Sequence, residues 1–266
     1  MNLARYFSVR LIQMVPVLVL TSAATFFLVH ILPGDLVVAR LGPEANATDV
    51  ARMRSELNLD DPLPVQYLRW VRDLATGDPG TSLTSNREVG RLLWKRIPVT
   101  LELVAMAMAI AVTLGIPAGT VSALRPRTAM DFLLRGFAVF GQSVPNYWIG
   151  VITLTYLSIW FAWVPPTTYK SPMEDVSQNL QQFIIPAFIT GYGLAAVLVR
   201  FTRASVLNVV HEDYVRTARA KGLSEYMTTY RHILRNAMIP VVTLVGLQFA
   251  TLVGGTVIIE SVFSLP

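Results

Sequence analysis

Five long stretches of this sequence contain no aspartate, glutamate, lysine or arginine, and they constrain the fold more than any other feature. They cover residues 11–34, 103–124, 136–169, 176–199 and 236–259. A helix needs about 20 mostly apolar residues to cross a bilayer, and each stretch is long enough. The sequence therefore predicts an all-α membrane protein with five spans. Buried helices of a large soluble core are the alternative, and so many charge-free stretches in one chain disfavour it.

The composition agrees with a membrane protein and removes several classes of function. Hydrophobic residues make up 53% of the chain and charged residues 15%, against about 25% charged residues in an average soluble domain. The chain has no cysteine, which excludes a thiol nucleophile, a disulfide framework and a cysteine-ligated metal centre. The net charge of +5 does not indicate nucleic-acid binding, because the basic residues lie between membrane stretches and not on one soluble face.

The first and third stretches differ from a simple span. Arg5 and Arg10 precede the first stretch as they would precede a secretory signal. The apolar core of a signal is about 7–15 residues long, whereas this one continues to Leu32, so we predict an uncleaved span. The third stretch is too long for one straight span and contains Pro145, which predicts a kink or break near residues 141–145.

The basic residues between the stretches predict the orientation. Segments 1–10, 125–135 and 200–235 contain 12 lysines and arginines, whereas segments 164–182 and 260–266 contain only Lys170. Because short cytoplasmic loops are enriched in these residues, the N-terminus is predicted to be cytoplasmic. Segment 35–102 is then external. Its nine basic residues do not contradict this orientation, since loops beyond about 60 residues count little in the rule.

The external segment is predicted to be folded. Thr48 is a suitable cap for a helix that ends near Asn58, and residues 64–75 place Tyr67, Leu68, Val71 and Leu74 on one helical face. Residues 77–80, GDPG, predict a turn, and a third short helix is predicted near residues 88–95. Two interpretations remain open: a cap or docking surface at a pore mouth, and a connector that packs on the ends of the spans.

The internal segment 200–235 predicts two short helices joined at a tight glycine corner. The sequence favours a helix up to Lys221, and Gly222 suits the C-terminal cap, where positive φ is required. Leu223 follows as a capping apolar contact, and Ser224 can cap the next helix, with Glu225 opposing the helix dipole. Such a rigid basic tip suits transmission of force to another protein. The alternative is a basic loop held near anionic lipid.

Several chemical motifs are missing. None of the lysines, at 95, 170 and 221, follows a glycine, so the chain has no phosphate-binding loop, and any ATP is bound by another chain. Residues 141–145, GQSVP, resemble a nucleophile elbow around Ser143, but Pro145 replaces the final glycine. The three histidines do not suggest a catalytic or metal-binding pair. An intramembrane hydrolase with Ser143 as nucleophile is therefore a weak alternative, and we assign no catalytic residue and no metal site.

Two acidic residues, Glu102 and Glu260, lie at the edges of predicted spans, where a carboxylate can still reach water. One interpretation is that they line the mouth of a substrate path. The other is that each is an interfacial carboxylate paired with an arginine of the external segment. Arg200 and Arg203 are interpreted as ending the fourth span on the inside.

The internal segment resembles the EAA loop of ABC-importer permeases, in the dipeptide, oligopeptide and nickel group. The resemblance rests on residues 212–223, EDYVRTARAKGL, and 231–243, RHILRNAMIPVVT. Weaker family-like pieces follow in the expected order: 32–35 (LPGD), 57–62 (LNLDDP), 98–101 (PVTL), 143–145 (SVP) and 260–263 (ESVF). The sequence differs from the broad EAA pattern at residues 216–218, RTA. Relatives also continue past residues 264–266 into a sixth span.

The resemblance implies a type I ABC-importer permease fold, with the family's sixth span absent from this chain. It implies three parts: a first transmembrane helix at 1–32, a periplasmic loop domain at 33–98 and a permease core at 99–266, with the coupling loop at 200–236. The residues implied to contact the ATPases are Asp213, Tyr214, Arg216, Thr217, Ala218, Ala220, Lys221, Gly222, Leu223, Ser224, Arg231 and His232. Glu102, Ser143, Pro145 and Glu260 are implied as path or interface residues.

The implied function is that of a permease subunit of an ATP-driven importer in the bacterial inner membrane, with short peptides such as dipeptides or glutathione as substrates. The implied partners are a second homologous permease, two ATP-binding cassette subunits and a periplasmic binding protein. The chain itself is implied to bind no cofactor and to catalyse no reaction, with ATP and magnesium held by the ATPases. A stand-alone channel or secondary carrier is the alternative, which the charge-free spans disfavour because ion coupling uses charged groups within them.

Overall fold

The structure, a computed structural model, describes residues 3–31, 36–42, 45–82, 85 and 87–265. Within these ranges the chain is mostly helical, and the only β pairing is a bridge between Thr81 and Glu88. The helices are α1 (Leu3–Ile31), α2 (Leu36–Leu41), α3 (Ala47–Glu56), α4 (Leu63–Ala75), α5 (Val89–Leu124), α6 (Ala129–Ser143), α7 (Asn146–Phe161), α8 (Val176–Val210), α9 (Asp213–Ala220), α10 (Glu225–Met227), a π-helical segment (Thr228–Leu234), α11 (Arg235–Gly255) and α12 (Val257–Val262). The predicted all-α fold is confirmed. The family-like residues 32–35 lie outside the described ranges.

Among the described residues, four helical segments are long and apolar enough to cross a membrane. They are Ala4–Ile31, Val89–Leu124, Val176–Val210 and Glu225–Gly255, and they correspond to the first, second, fourth and fifth charge-free stretches. The third stretch is divided between α6 and α7, because Val144 is extended and Pro145 forms the N-cap of α7. The predicted break near residues 141–145 is therefore confirmed.

The chain divides into two compact units, Met1–Trp94 and Lys95–Pro266. In the first unit α4 packs on α1 through aromatic rings: the Phe26 ring centroid lies 5.5 Å from that of Tyr67 and 5.9 Å from that of Trp70. The predicted helix at residues 64–75 is confirmed. On its predicted apolar face, Leu68 and Leu74 are 66% and 48% exposed.

One prediction for the external segment is wrong and another is correct only in part. Helix α3 begins at Ala47 with Asn46 at its N-cap, so Thr48 lies inside the first turn and does not cap it. The short helix predicted near residues 88–95 is not separate, since α5 begins at Val89 and continues without a break to Leu124. A helix can extend beyond the hydrocarbon layer of a bilayer. The charged first turns of α5 therefore continue directly into its apolar part. The turn at residues 77–80 is confirmed, with positive φ at Gly77 and Gly80.

In the second unit α5 and α8 approach each other through small residues. A Cβ atom added to Gly115 would lie 2.6 Å from Leu198 Cβ, and one added to Gly119 would lie 2.7 Å from the Val199 carbonyl oxygen. Gly191 of α8 is equally close to α5. Small residues four apart allow helix backbones to pack closely within a membrane, where the gain comes from van der Waals contact. The spacing of Gly115 and Gly119 is a G-x-x-x-G signal, and it marks this contact.

The second unit has its main core around the upstream ends of these helices. The core contains Val99 and Leu103 of α5, Phe183 and Ala187 of α8, Ile189, Ile259 and Phe263. Helix α12 closes it by packing against α7, where Phe263 lies against Gly150. The short last helix is therefore part of the core and not a loose tail.

Candidate functional site

The glycine corner after α9 has the geometry of a Schellman motif. The Leu223 N–H donates to the Ala218 carbonyl over 3.3 Å, and the Gly222 N–H donates to the Arg219 carbonyl over 2.9 Å. Gly222 has φ of +80°, a left-handed conformation that glycine adopts at little cost. The Ser224 hydroxyl then accepts from the Met227 N–H and caps the next helix. Both local predictions, the glycine cap and the serine cap, are confirmed.

The helices around this corner differ from the prediction in extent. Helix α8 continues to Val210, and α9 is a separate helix of eight residues, so the predicted single helix up to Lys221 is wrong. The helix that follows is not short either, because residues 225–255 form one helical segment that includes α11. Composition alone cannot locate the interruption at residues 211–212, since these residues are compatible with a helix.

Helix α9 is amphipathic and is seated by two buried residues. Val215 and Ala218 are buried, and Val215 packs in one cluster with Val206 of α8 and with Ile233. The corner therefore stands on the ends of two long helical segments, α8 and residues 225–255. A displacement of α9 would be transmitted to both, because close-packed side chains resist compression.

Three polar contacts fix α9 and its corner further. The Arg219 guanidinium forms two hydrogen bonds with the Glu225 carboxylate, of 2.9 and 3.3 Å, across the glycine corner. The Asn236 amide donates to the Tyr214 hydroxyl over 2.7 Å and so ties α9 to the beginning of α11. Arg219 and Asn236 were not among the predicted site residues. Their sequence separations from their partners carry no helical or turn signal that would have revealed the contacts.

Most of the predicted coupling residues lie on the open face of this structure. The exposed ones are Asp213, Tyr214, Arg216, Thr217, Ala220, Lys221, Gly222, Ser224 and Arg231. Leu223 and His232 are half-buried, and Ala218 is buried beneath the helix. The structure thus brings the predicted residues together at one corner. Ala218 differs from the others because it is buried and packs beneath α9.

The segment after the corner is π-helical from Thr228 to Leu234. Wide helical turns of this kind are rare and occur frequently at functional sites. Thr228 lies in it, and its hydroxyl is buried without a hydrogen-bond partner among the described residues. Sequence analysis did not predict this segment, since its residues do not differ in type from those of an ordinary α-helix.

A second polar cluster surrounds Asp131, in the first turn of α6 and ahead of the charge-free stretch. Its carboxylate accepts two hydrogen bonds from Arg203 of α8, at 3.0 and 3.3 Å, and one from the buried Ser122 hydroxyl at 2.6 Å. The hydrogen bonds from Arg203, and then from Ser122, hold the pKa of Asp131 well below its ordinary value. Arg203 therefore does more than end the fourth span, because it joins α8 to the α5–α6 corner.

Glu102 has hydroxyl and amide partners. The Tyr169 hydroxyl donates to its carboxylate over 2.9 Å and the Asn179 amide over 2.6 Å. Burial, followed by the hydrogen bond to Glu102, raises the pKa of the Tyr169 hydroxyl to about 12. An arginine is not among the described partners of Glu102, so the interpretation that pairs it with an arginine of the external segment gains no support from the described residues.

The other predicted path or interface residues have local contacts. Glu260 accepts a hydrogen bond from the Thr256 hydroxyl one turn earlier, over 2.7 Å. The arginine predicted for Glu260 is likewise not among its described partners. The Ser143 hydroxyl donates to the Val139 carbonyl over 2.8 Å, which is the usual bond of a serine within a helix. Pro145 serves as the N-cap of α7.

A chain whose described residues form helices, with four segments able to cross a membrane among them, is a polytopic membrane protein. The sequence profile described as "Binding-protein-dependent transport system inner membrane component" matches residues 115–266. The profile of the N-terminal part of such membrane components matches residues 3–104. The chain belongs to this family of ABC-importer permeases, whose members are transport subunits.

Similar proteins include the glutathione transport system permease protein GsiC of Salmonella paratyphi A and of Escherichia coli K12. Each is 39% identical to this chain over 257 residues, covering 97% of this chain and 81% of the relative. Among solved structures, the crystal structure of an amino acid ABC transporter with histidines aligns with a TM-score of 0.47 and 14% identity. That alignment covers 62% of this chain and 71% of the other.

Proposed function

We propose that this permease subunit forms half of a translocation path for short peptides and is coupled to cytoplasmic ATPases through α9 and the Gly222 corner. The observation that carries the proposal is the seating of α9 on α8 and on residues 225–255, with its polar face left open. ATP and magnesium would be bound by the partner ATPases. ATP-driven closure of the ATPases would push on α9, and the packed Val215 would pass the movement to both long helices.

The orientation follows from the same proposal. The N-terminus and the Gly222 corner are placed on the cytoplasmic side, in agreement with the 12 lysines and arginines in the segments of that side. The family's description as binding-protein-dependent supports an external partner that delivers substrate. A second, homologous permease would complete the path in the bacterial inner membrane.

The coupling role can be tested by substituting Gly222. A side chain has room at this position, but the backbone conformation disfavours any residue other than glycine. No atom of the described residues lies within 4 Å of a Cβ added to Gly222, but its φ is +80°. A valine there is expected to strain the corner by roughly 1–2 kcal/mol or more, so Gly222→Val should insert normally but lose transport and lose the ATPases on purification. The measurement is substrate uptake by the complete complex, together with co-purification from solubilised membranes.

The matched control for this test is Gly222→Asn. Asparagine tolerates the left-handed conformation better than other non-glycine residues, so this variant should keep most of the uptake and the bound ATPases. Full transport by Gly222→Val would contradict the coupling role. Equal loss in both variants would show that the side chain itself, and not the corner geometry, is harmful.

The subunit composition has a direct test in a pull-down of the tagged chain from detergent-solubilised membranes. The proposal expects a second permease and two ATPase subunits, or one ATPase in two copies, identified by mass spectrometry. A chain that is stable, monomeric and free of ATPases would contradict the proposal and support a channel or carrier.

The substrate proposal is supported by the similarity of the chain to GsiC, a permease protein of glutathione transport systems. We expect the complete complex to take up glutathione or other di- and tripeptides in the presence of ATP. Competition between radiolabelled glutathione and a series of unlabelled dipeptides, nickel chelates and sugars would rank the ligands. Uptake that ignores glutathione and all di- and tripeptides would refute the peptide assignment but leave the coupling role intact.

A further inference from the structure

A cavity of about 560 Å³ lies between α6 and α8 and combines basic and apolar walls. Three arginines line it, Arg135 of α6 and Arg200 and Arg203 of α8. Its apolar wall includes Val139 of α6 and Leu244 of α11. None of these residues belongs to the Gly222 corner, and the proposed coupling role does not use them.

The described residues do not balance the positive charge that lines this cavity. Asp131 is bonded to Arg203 and lies 3.4 Å from Arg135 Nε, so one carboxylate serves two guanidinium groups. The Nε atom of Arg135 is buried and has no hydrogen-bond partner among the described residues. The third guanidinium, that of Arg200, is bonded to the neutral Gln142 side chain at 2.7 Å. Three positive charges therefore face one negative charge, and donors remain available for an anion.

The position of the arginines indicates the depth of this cavity. Arg200 immediately follows the charge-free stretch 176–199, and Arg135 immediately precedes the stretch 136–169. Both therefore lie at the border between polar and apolar sequence, on the side that we propose to be cytoplasmic. The phosphates of phospholipids lie at the border between water and the hydrocarbon layer, and the exposed Val139 offers an apolar surface beside the arginines. Basic pockets between membrane helices on this side recognise anionic headgroups.

We propose that this cavity binds the phosphate headgroup of an anionic phospholipid, with Arg135 and Arg200 as the principal donors. Guanidinium groups suit a phosphate because their planar donors can form two parallel hydrogen bonds. An acyl chain of the same lipid would lie along Val139 and Leu244. A free anion would lack this apolar contact, so the lipid is favoured over soluble phosphate or a soluble carboxylate.

The test measures binding of phosphatidylglycerol to the complete complex. Wild-type protein is compared with Arg135→Gln/Arg200→Gln and with the charge-matched control Arg5→Gln/Arg125→Gln, which changes two arginines outside the cavity. Each complex is purified in neutral detergent and titrated with phosphatidylglycerol, and bound lipid is counted by native mass spectrometry. The cavity variant should bind roughly tenfold to thirtyfold more weakly than wild type. The control should bind like wild type.

Three outcomes would overturn the proposal. One is equal phosphatidylglycerol binding by the cavity variant and wild type. The second is an equal loss in the cavity variant and the control, which would indicate a diffuse surface charge. The third is full displacement of the lipid by inorganic phosphate or glutathione at constant ionic strength, which would assign the cavity to a free anion. The proposal is supported if the lipid stays bound in that competition and only the cavity variant loses phosphatidylglycerol binding. Thermal unfolding of each complex without added lipid separates a folding defect from lost binding.

Discussion

Gly119→Ala is expected to destabilise the protein strongly, although it adds only one methyl group. The new Cβ would lie 2.7 Å from the Val199 carbonyl oxygen and 2.7 Å from Thr202 Cβ. A backbone oxygen cannot rotate away as the end of a flexible side chain can, so α5 and α8 must move apart. Overpacking of this kind costs about 1–3 kcal/mol at one site. Gly115→Ala meets Leu198 Cβ at 2.6 Å, so the double substitution should cost more than either alone.

The measurement is the thermal unfolding midpoint of the purified complex in detergent, together with the yield of folded protein. Gly136→Ala in α6 and Gly246→Ala in α11 are matched controls, because neither added methyl group lies within 4 Å of an atom in the part of the chain that the structure describes. Alanine favours a helix over glycine by about 1 kcal/mol, so these controls should be neutral or slightly stabilised. A Gly119→Ala midpoint equal to that of Gly136→Ala would show that the close approach of α5 and α8 is not required.

The features that could be predicted from the sequence are those that neighbouring residues determine. Pro145 interrupts the third stretch because it lacks a backbone donor and restricts the residue before it. Gly222 and Ser224 predict the corner because positive φ and a side-chain cap are local requirements. These predictions are correct because no distant contact has to be known in order to make them.

Contacts between distant residues could not be predicted in the same way. The partners Glu102 and Asn179 are 77 residues apart, and Asp131 and Arg203 are 72 apart. Helical periodicity shows which residues share a face, but not which faces meet, so both pairs required the structure. The G-x-x-x-G spacing of Gly115 and Gly119 did carry usable information about close packing. It is the signal that would have placed α5 against another helix.

Asp131→Ala is expected to cause the other large loss of stability. Asp131 is 1% exposed, and its removal would leave Arg203 and Arg135 without their acidic partner. Removal of one partner of a buried ion pair costs about 3–5 kcal/mol. Ser122→Ala keeps all the charges and removes only one hydrogen bond to the carboxylate, so its cost should be smaller, about 1.5–3 kcal/mol. Glu56→Gln, which breaks an exposed pair with Arg52, is the control and should leave the midpoint nearly unchanged.

A double-mutant cycle identifies the cause of the loss. Arg203→Met combined with Asp131→Ala removes one of the two charges that the single substitution leaves unpaired, and Arg135 remains. The double variant should therefore be more stable than the two separate losses predict when added. The pH dependence gives a second check. Because the pKa of Asp131 is lowered in the folded state, its contribution is present above the ordinary aspartate value of 3.8 and is lost as the pH falls below it. The difference between wild type and Asp131→Ala should therefore be constant from neutral to mildly acidic pH. Strict additivity in the cycle would show that Asp131 stabilises the fold independently of Arg203, and the ion pair would then not be what joins α8 to the α5–α6 corner.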